Sequence, residues 1–151
     1  MRLKGSLLVA ASALLVVLIV PGAASAHGTH VKAKMSGSQV VGQQGAPNGE
    51  GVANLHLLRQ KSKVRFRVKF SDIGGEAGLN IGVYSGKRGE NGSLEFTLSN
   101  QAHASPVKGI ATGVPKKTLK QITRHPRLYH VTVKNDSFPV DGAIRGQTKA
   151  V

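Results

Sequence analysis

The sequence predicts an all-β domain, a sandwich or Greek-key barrel of about seven to eight short strands with one short helix. Three observations carry this. Segment after segment alternates apolar and polar residues with period two. Clusters of Gly, Pro, Asn and Asp fall between those segments, and the 151 residues include 19 glycines. The length supports one domain.

In chain order, Val31, Ala33 and Met35 alternate with Lys32 and Lys34. Ala53, Leu55 and Leu57 alternate with Asn54 and His56. The clearest strand is Val64-Arg65-Phe66-Arg67-Val68-Lys69-Phe70, apolar at every even position and cationic at every odd one. Successive strand side chains point to opposite faces, so this segment has one core face and one wet face. Leu79, Ile81 and Val83 repeat the pattern, as do Leu94, Phe96 and Leu98, then Tyr129, Val131 and Val133. A last short strand is expected from Ala143 to Thr148. Pro47-Asn48-Gly49, Gly74-Gly75, Gly86 to Gly92 and Val140-Asp141-Gly142 read as turns. One segment differs. Between Pro115 and His125, Leu119 and Ile122 stand three apart, Pro115 suits a first helical turn, and Pro126 follows. This is the helix, packed by Leu119 and Ile122.

Residues 1–26 read as a secretory signal. Arg2 and Lys4 precede a run of 14 residues, Leu7 to Val20, that is apolar except for Ser12. A bilayer-spanning helix needs about 20 residues. Pro21-Gly22 then breaks the run, and Ala24-Ser25-Ala26 offers small residues at the cleavage positions. Cleavage after Ala26 leaves residues 27–151 as the domain, secreted or held in the cell envelope or periplasm. No second apolar stretch is long enough to span a membrane. The whole chain carries 21 Lys/Arg against 7 Asp/Glu; loss of Arg2 and Lys4 lowers the net charge from +14 to +12. With no cysteine, disulfides, thiolate metal sites, lipid attachment at Cys and Cys nucleophiles are excluded. An exported domain without disulfides favours a bacterial source.

Several segments resemble the chordin-type (CHRD) domain family. Met35-Ser36-Gly37-Ser38-Gln39-Val40 is similar to its opening strand, and Gly49-Glu50-Gly51-Val52-Ala53 to the entry of the next. Gly89-Glu90-Asn91-Gly92 resembles its Gly-x-Asn-Gly turn. Phe138-Pro139 followed by Gly142-Ala143-Ile144-Arg145-Gly146-Gln147 looks like its Gly-Glu-Ile-Arg-Gly ending. The resemblance runs from about His30 to Thr148. It implies an immunoglobulin-like sandwich or barrel, distantly like copper/zinc superoxide dismutase, in an extracellular setting and with no established enzymatic activity. The chain departs from the pattern at polar positions. Asn80 and Gly82 stand where many members carry a His-x-His pair, and Thr132 and Lys134 where many carry Asn-x-His. Ala143 replaces the hallmark Glu. A metal or polar cluster built from those residues is therefore not expected here. Gly142, Ile144, Arg145 and Gly146 are retained as a structural motif. Arg145 is expected to tie strand ends through a carboxylate or backbone carbonyls with its planar fork.

No catalytic constellation is present: neither a Gly-x-Ser-x-Gly elbow, nor His-Glu-x-x-His, nor a phosphate-binding loop ending Gly-Lys-Ser/Thr. Ser105-Pro106-Val107-Lys108 matches Ser-x-x-Lys only formally. Asp72 with Glu76, and Asp136 with Asp141, are expected to form ion pairs rather than an acid–base site. The chain is read as a non-enzyme without a cofactor. The strongest functional feature is a basic row, Arg59, Lys61, Lys63, Arg65, Arg67 and Lys69, all odd-numbered and expected on one sheet face. Lys116, Lys117, Lys120, Arg124 and Arg127 form a second basic cluster around the helix. The expected partner is an anionic envelope polymer, a polysaccharide or another protein. Nucleic acid is not expected, since the six aromatics offer no stacking platform. The alternative function is copper binding. A processed N-terminal His27 would chelate through its amine and imidazole, with His30 or His56 as a further ligand.

Overall fold

The computed structural model describes residues 28–75, 77–102 and 104–151. The expected signal at 1–26 and His27 lie outside the described residues. The strands are β1 (Thr29–Ser36), β2 (Glu50–Leu58), β3 (Lys63–Ser71), β4 (Leu79–Ser85), β5 (Leu94–Ala102), β6 (Val107–Thr112), β7 (Tyr129–Lys134) and β8 (Ile144–Ala150). One helix, α1 (Lys116–Arg124), lies between β6 and β7.

All eight strands form a single sheet in the order β5-β4-β7-β8-β1-β2-β3-β6. Every pairing is antiparallel. The edge strands β5 and β6 approach each other, so the sheet curls into a nearly closed barrel. The β4–β5 hairpin leaves the β1–β3 meander and pairs with β7, while β6 returns to β3, a Greek-key path. Curling protects the edges that an open sheet would offer to other chains.

The core sits inside the barrel and follows the alternation. Along β3 every even residue is buried and every odd one exposed. Val31, Leu55, Leu57, Val64, Val68, Ile81, Val83, Val131, Val133 and Ile144 form the interior. Burying each such side chain contributes about 1.5–3 kcal/mol, and with no disulfide this packing holds the domain together. Helix α1 covers one end of the barrel, with Leu119 and Ile122 fully buried as expected.

One strand went unforeseen. In β6 the barrel-facing positions are Val107, Gly109 and Ala111, and the outward ones Lys108, Ile110 and Thr112. Gly109 is small because the Phe66 ring occupies the space where its Cβ would stand. Ile110 faces outward and is 54% exposed. A missing apolar residue inside and an extra one outside erase the period-two signal.

Candidate functional site

Two outer regions of the barrel concentrate polar chemistry. The first is the basic face of β3. Lys63, Arg65, Arg67 and Lys69 are all exposed on it. Opposite Arg65 stand His56 on β2 and Ile110 on β6; opposite Arg67 stand Asn54 and Lys108. Same-side residues repeat every ~6.6–6.8 Å along a strand, inside the roughly 8 Å screening length at physiological salt. The four charges therefore repel one another. Among the described residues the only ion pair is Lys87–Glu90, at 3.4 Å, so none of the four is neutralised by a carboxylate there.

The row is shorter than expected. Arg59 and Lys61 belong to a single 3-10 turn that joins β2 to β3, and Ser62 closes it in a left-handed conformation (φ 52°). Strand pairing is interrupted, and these two cations leave the face. They stand instead beside α1, where Lys116, Lys117, Lys120 and Arg124 are exposed, with Arg127 in the next turn. The two basic clusters read separately in the sequence thus meet at the helical end of the barrel.

The remaining histidines of the copper alternative lie on the same outer side. His30 on β1 faces His56 on β2, and their rings stack with centroids 4.1 Å apart and planes 13° apart. Desolvation holds the His56 imidazole below its ordinary pKa, with His30 and Arg65 acting in the same direction. At neutral pH the His56 imidazole is therefore ring surface more than charge. No cluster of three His, Cys, Asp or Glu side chains suited to a metal occurs among the described residues.

The second region is covered rather than open. The loop Gly86–Asn91, between β4 and β5, folds back over β7 and β8. Gly86 permits this with φ 121°, a value that L side chains rarely adopt. Arg145 reaches up from β8 and donates to Asn91 Oδ1 (2.9 Å), the Lys87 carbonyl (3.0 Å) and the Glu90 carbonyl (2.6 Å). It is 2% exposed. Its fork thus binds carbonyls, as expected, but it ties a loop to a strand instead of two strand ends, and no carboxylate takes part. Gln147 donates to the Gly86 and Arg127 carbonyls, both at 2.7 Å. His130 Nδ1 hydrogen-bonds the Gly86 carbonyl at 3.3 Å, and its ring stacks on Tyr84. Burial pushes His130 down to about 4, with the Arg145 charge acting in the same direction.

The other motif residues follow from the same geometry. Gly142 has φ 101°, and Ile144 is fully buried in the barrel. A Cβ on Gly146 would run into the Lys34 carbonyl of β1. Four of the five positions at which the sequence departs from the pattern it resembles come together, for Asn80 is opposite Lys134 and Gly82 opposite Thr132. The space at Gly82 is taken by Tyr84 and Leu94. A small cavity of about 170 Å³ remains, bordered by His130, Lys134, Asn91 and Asp141.

The carboxylate pairs do not form ion pairs among the described residues. Glu76 lies outside the described residues. Asp141 accepts the Gln43 N–H at 2.8 Å, while Asp136 packs on Gly78. Ser105 Oγ accepts the Phe70 N–H at 2.9 Å, a structural role. Lys108, its formal partner, is exposed on β6. Asn91 and Asn135 were missed. Asn135 is buried and donates to the Ile73 and Gly75 carbonyls. Only its place beside a turn hinted at this.

The sequence pattern of the CHRD domain matches residues 31–148, and the chain belongs to that family. No curated protein and no solved structure matches it. Membership suggests a non-catalytic binding or structural module of the extracellular kind. No helix among the described residues is long and apolar enough to cross a membrane.

Proposed function

We propose that this CHRD-domain chain is an exported, non-catalytic binding or structural module of the cell envelope or extracellular space, drawn to polyanions by the basic face of β3. One observation carries the reading. Lys63, Arg65, Arg67 and Lys69 stand exposed at alternate positions without a carboxylate partner among the described residues. A polyanion laid along the strand relieves their mutual repulsion and releases its own counterions. Export rests on residues 1–26, and N-terminal sequencing of secreted protein tests it, with His27 expected as the first residue.

Retention on an immobilised polyanion, such as inorganic polyphosphate, tests the binding. Elution by a salt gradient is expected, with Arg65→Glu/Arg67→Glu eluting at clearly lower salt. Retention that salt does not weaken, or that the double variant leaves unchanged, counts against the reading.

One observation favours copper as a second reading. The Gly28 backbone packs against His56 Nε2, and His30 stacks on the same ring. Residue 27, the proposed chelating residue, directly precedes Gly28 in the sequence. Copper titration of protein with its natural N-terminus tests this. Tight stoichiometric binding that survives His27→Ala would sink the chelate.

A further inference from the structure

The basic face is not uniformly basic. A groove of about 610 Å³ crosses it, lined by Arg65, Arg67 and Lys108, by the stacked rings of His30 and His56, and by Ile110. We infer that this groove is a subsite for a carboxylate-bearing sugar unit, and that the polyanion is a linear acidic polysaccharide. The inference rests on the polyanion reading and narrows it to one ligand class.

Charge attraction alone has no use for the other half of the groove. Ile110 is 54% exposed between cations, where a polar residue would cost nothing. The imidazole pair adds flat ring surface, since His56 is held below its ordinary pKa by desolvation, His30 and Arg65. A sugar ring has an apolar C–H face to pack on such a surface. Its hydroxyls suit the Asn54 amide, which stands opposite Arg67 in the same groove. Its carboxylate suits a guanidinium fork, which binds planar oxyanions with two parallel hydrogen bonds. Lys63 and Lys69 continue the row beyond the groove at both ends. A ligand with regularly repeated charges, not a single acid, satisfies them.

Two other polyanionic partners fit less well. A bilayer needs a contiguous apolar patch to enter, and of the large exposed apolar side chains among the described residues only Ile110 and Val151 border this groove. Leu94, Leu128 and Val140 lie on β5, in the turn before β7 and in the β7–β8 loop. A single-stranded nucleic acid is held by stacking successive bases on a row of aromatic side chains, and this groove offers one imidazole pair, while Phe66 and Phe70 of β3 point into the barrel.

Calorimetric titration compares an oligogalacturonate with inorganic polyphosphate of similar charge, phosphatidylglycerol vesicles and a single-stranded oligonucleotide. The oligogalacturonate is expected to bind about tenfold more tightly than polyphosphate, and to shift the ring proton signals of His30 and His56. His30→Ala/His56→Ala is expected to lose that tenfold advantage while keeping polyphosphate affinity within about twofold. Ile110→Ser, on the opposite wall, is a second variant with the same expected direction should the histidine pair prove needed for folding. Equal affinity for both polymers, or an advantage that both variants keep, overturns the sugar subsite and leaves the polyanion reading standing. Failure to bind either polymer overturns both. Tighter binding to the vesicles or the oligonucleotide overturns the ligand class.

Discussion

Arg145 and Arg65 both point outward from the same barrel, three strands apart in the sheet, and their surroundings are opposite. Arg145 is buried under a loop and spends its fork on Asn91 and two backbone carbonyls. Arg65 stands in water beside other cations, with no acid to hold it among the described residues. The histidines divide the same way. His130 is locked neutral beneath the loop, while His30 and His56 line an open groove. One half of the surface uses a cation to fix the fold, and the other leaves its cations available. Identical side chains differ in role because a backbone segment covers one and not the other.

The contrast is broken most sharply at Arg145. Arg145→Ala removes a charged donor from three acceptors beneath a loop, and about 3 kcal/mol of stability is expected to go with it. Urea denaturation at pH 7 measures this. A loss below about 1 kcal/mol would show that the loop holds without its anchor.

His130 gives the next effect, through pH. Its folded pKa of about 4 lies below the ordinary 6.5 of an unfolded histidine. The unfolded chain therefore binds the proton first. The stability from keeping this imidazole neutral is complete above pH 6.5 and is lost as pH falls toward about 4. About 2 kcal/mol is expected to disappear between pH 7 and 4.5, and His130→Gln is expected to flatten that part of the stability profile. A wild-type profile as flat as the variant's would remove the buried imidazole from the account.

On the open face the stability effects are small. Arg65→Ala and Arg67→Ala are each expected to change stability by no more than about 0.5 kcal/mol, with the direction toward greater stability as repulsion falls. Their effect belongs in the salt dependence of polyanion retention. A cost near that of Arg145→Ala would mean that the open face is structural after all. The smallest change is Ile110→Thr, expected within about 0.5 kcal/mol because the side chain already faces water.

Much of the barrel was legible because its strands are half-buried. Period-two alternation is a direct imprint of one dry and one wet face, and β1, β2, β3, β4, β5 and β7 carry it plainly. The helix was legible from Leu119, Ile122 and the flanking prolines. β6 was not, because Phe66 of the neighbouring strand fills the place of a side chain at Gly109. The basic face was legible for Lys63 to Lys69. It was overread at Arg59 and Lys61, where odd numbering continues but the backbone turns. Asn91 was visible only as part of a turn motif. Its work as an acceptor for Arg145 depends on a contact 54 residues away in sequence.

The sequence by itself determined the family, the all-β class, most of the strands and the rule that cations line one side of β3. These follow from local periodicity and from motifs that a single strand or turn can express. Tertiary structure decided which polar residues are covered. Strand order set Asn80 against Lys134 and His30 against His56, and the fold of the 86–91 loop buried Arg145 and His130. Such placements depend on segments far apart in the chain meeting in space, and no local pattern records which segment will lie over which.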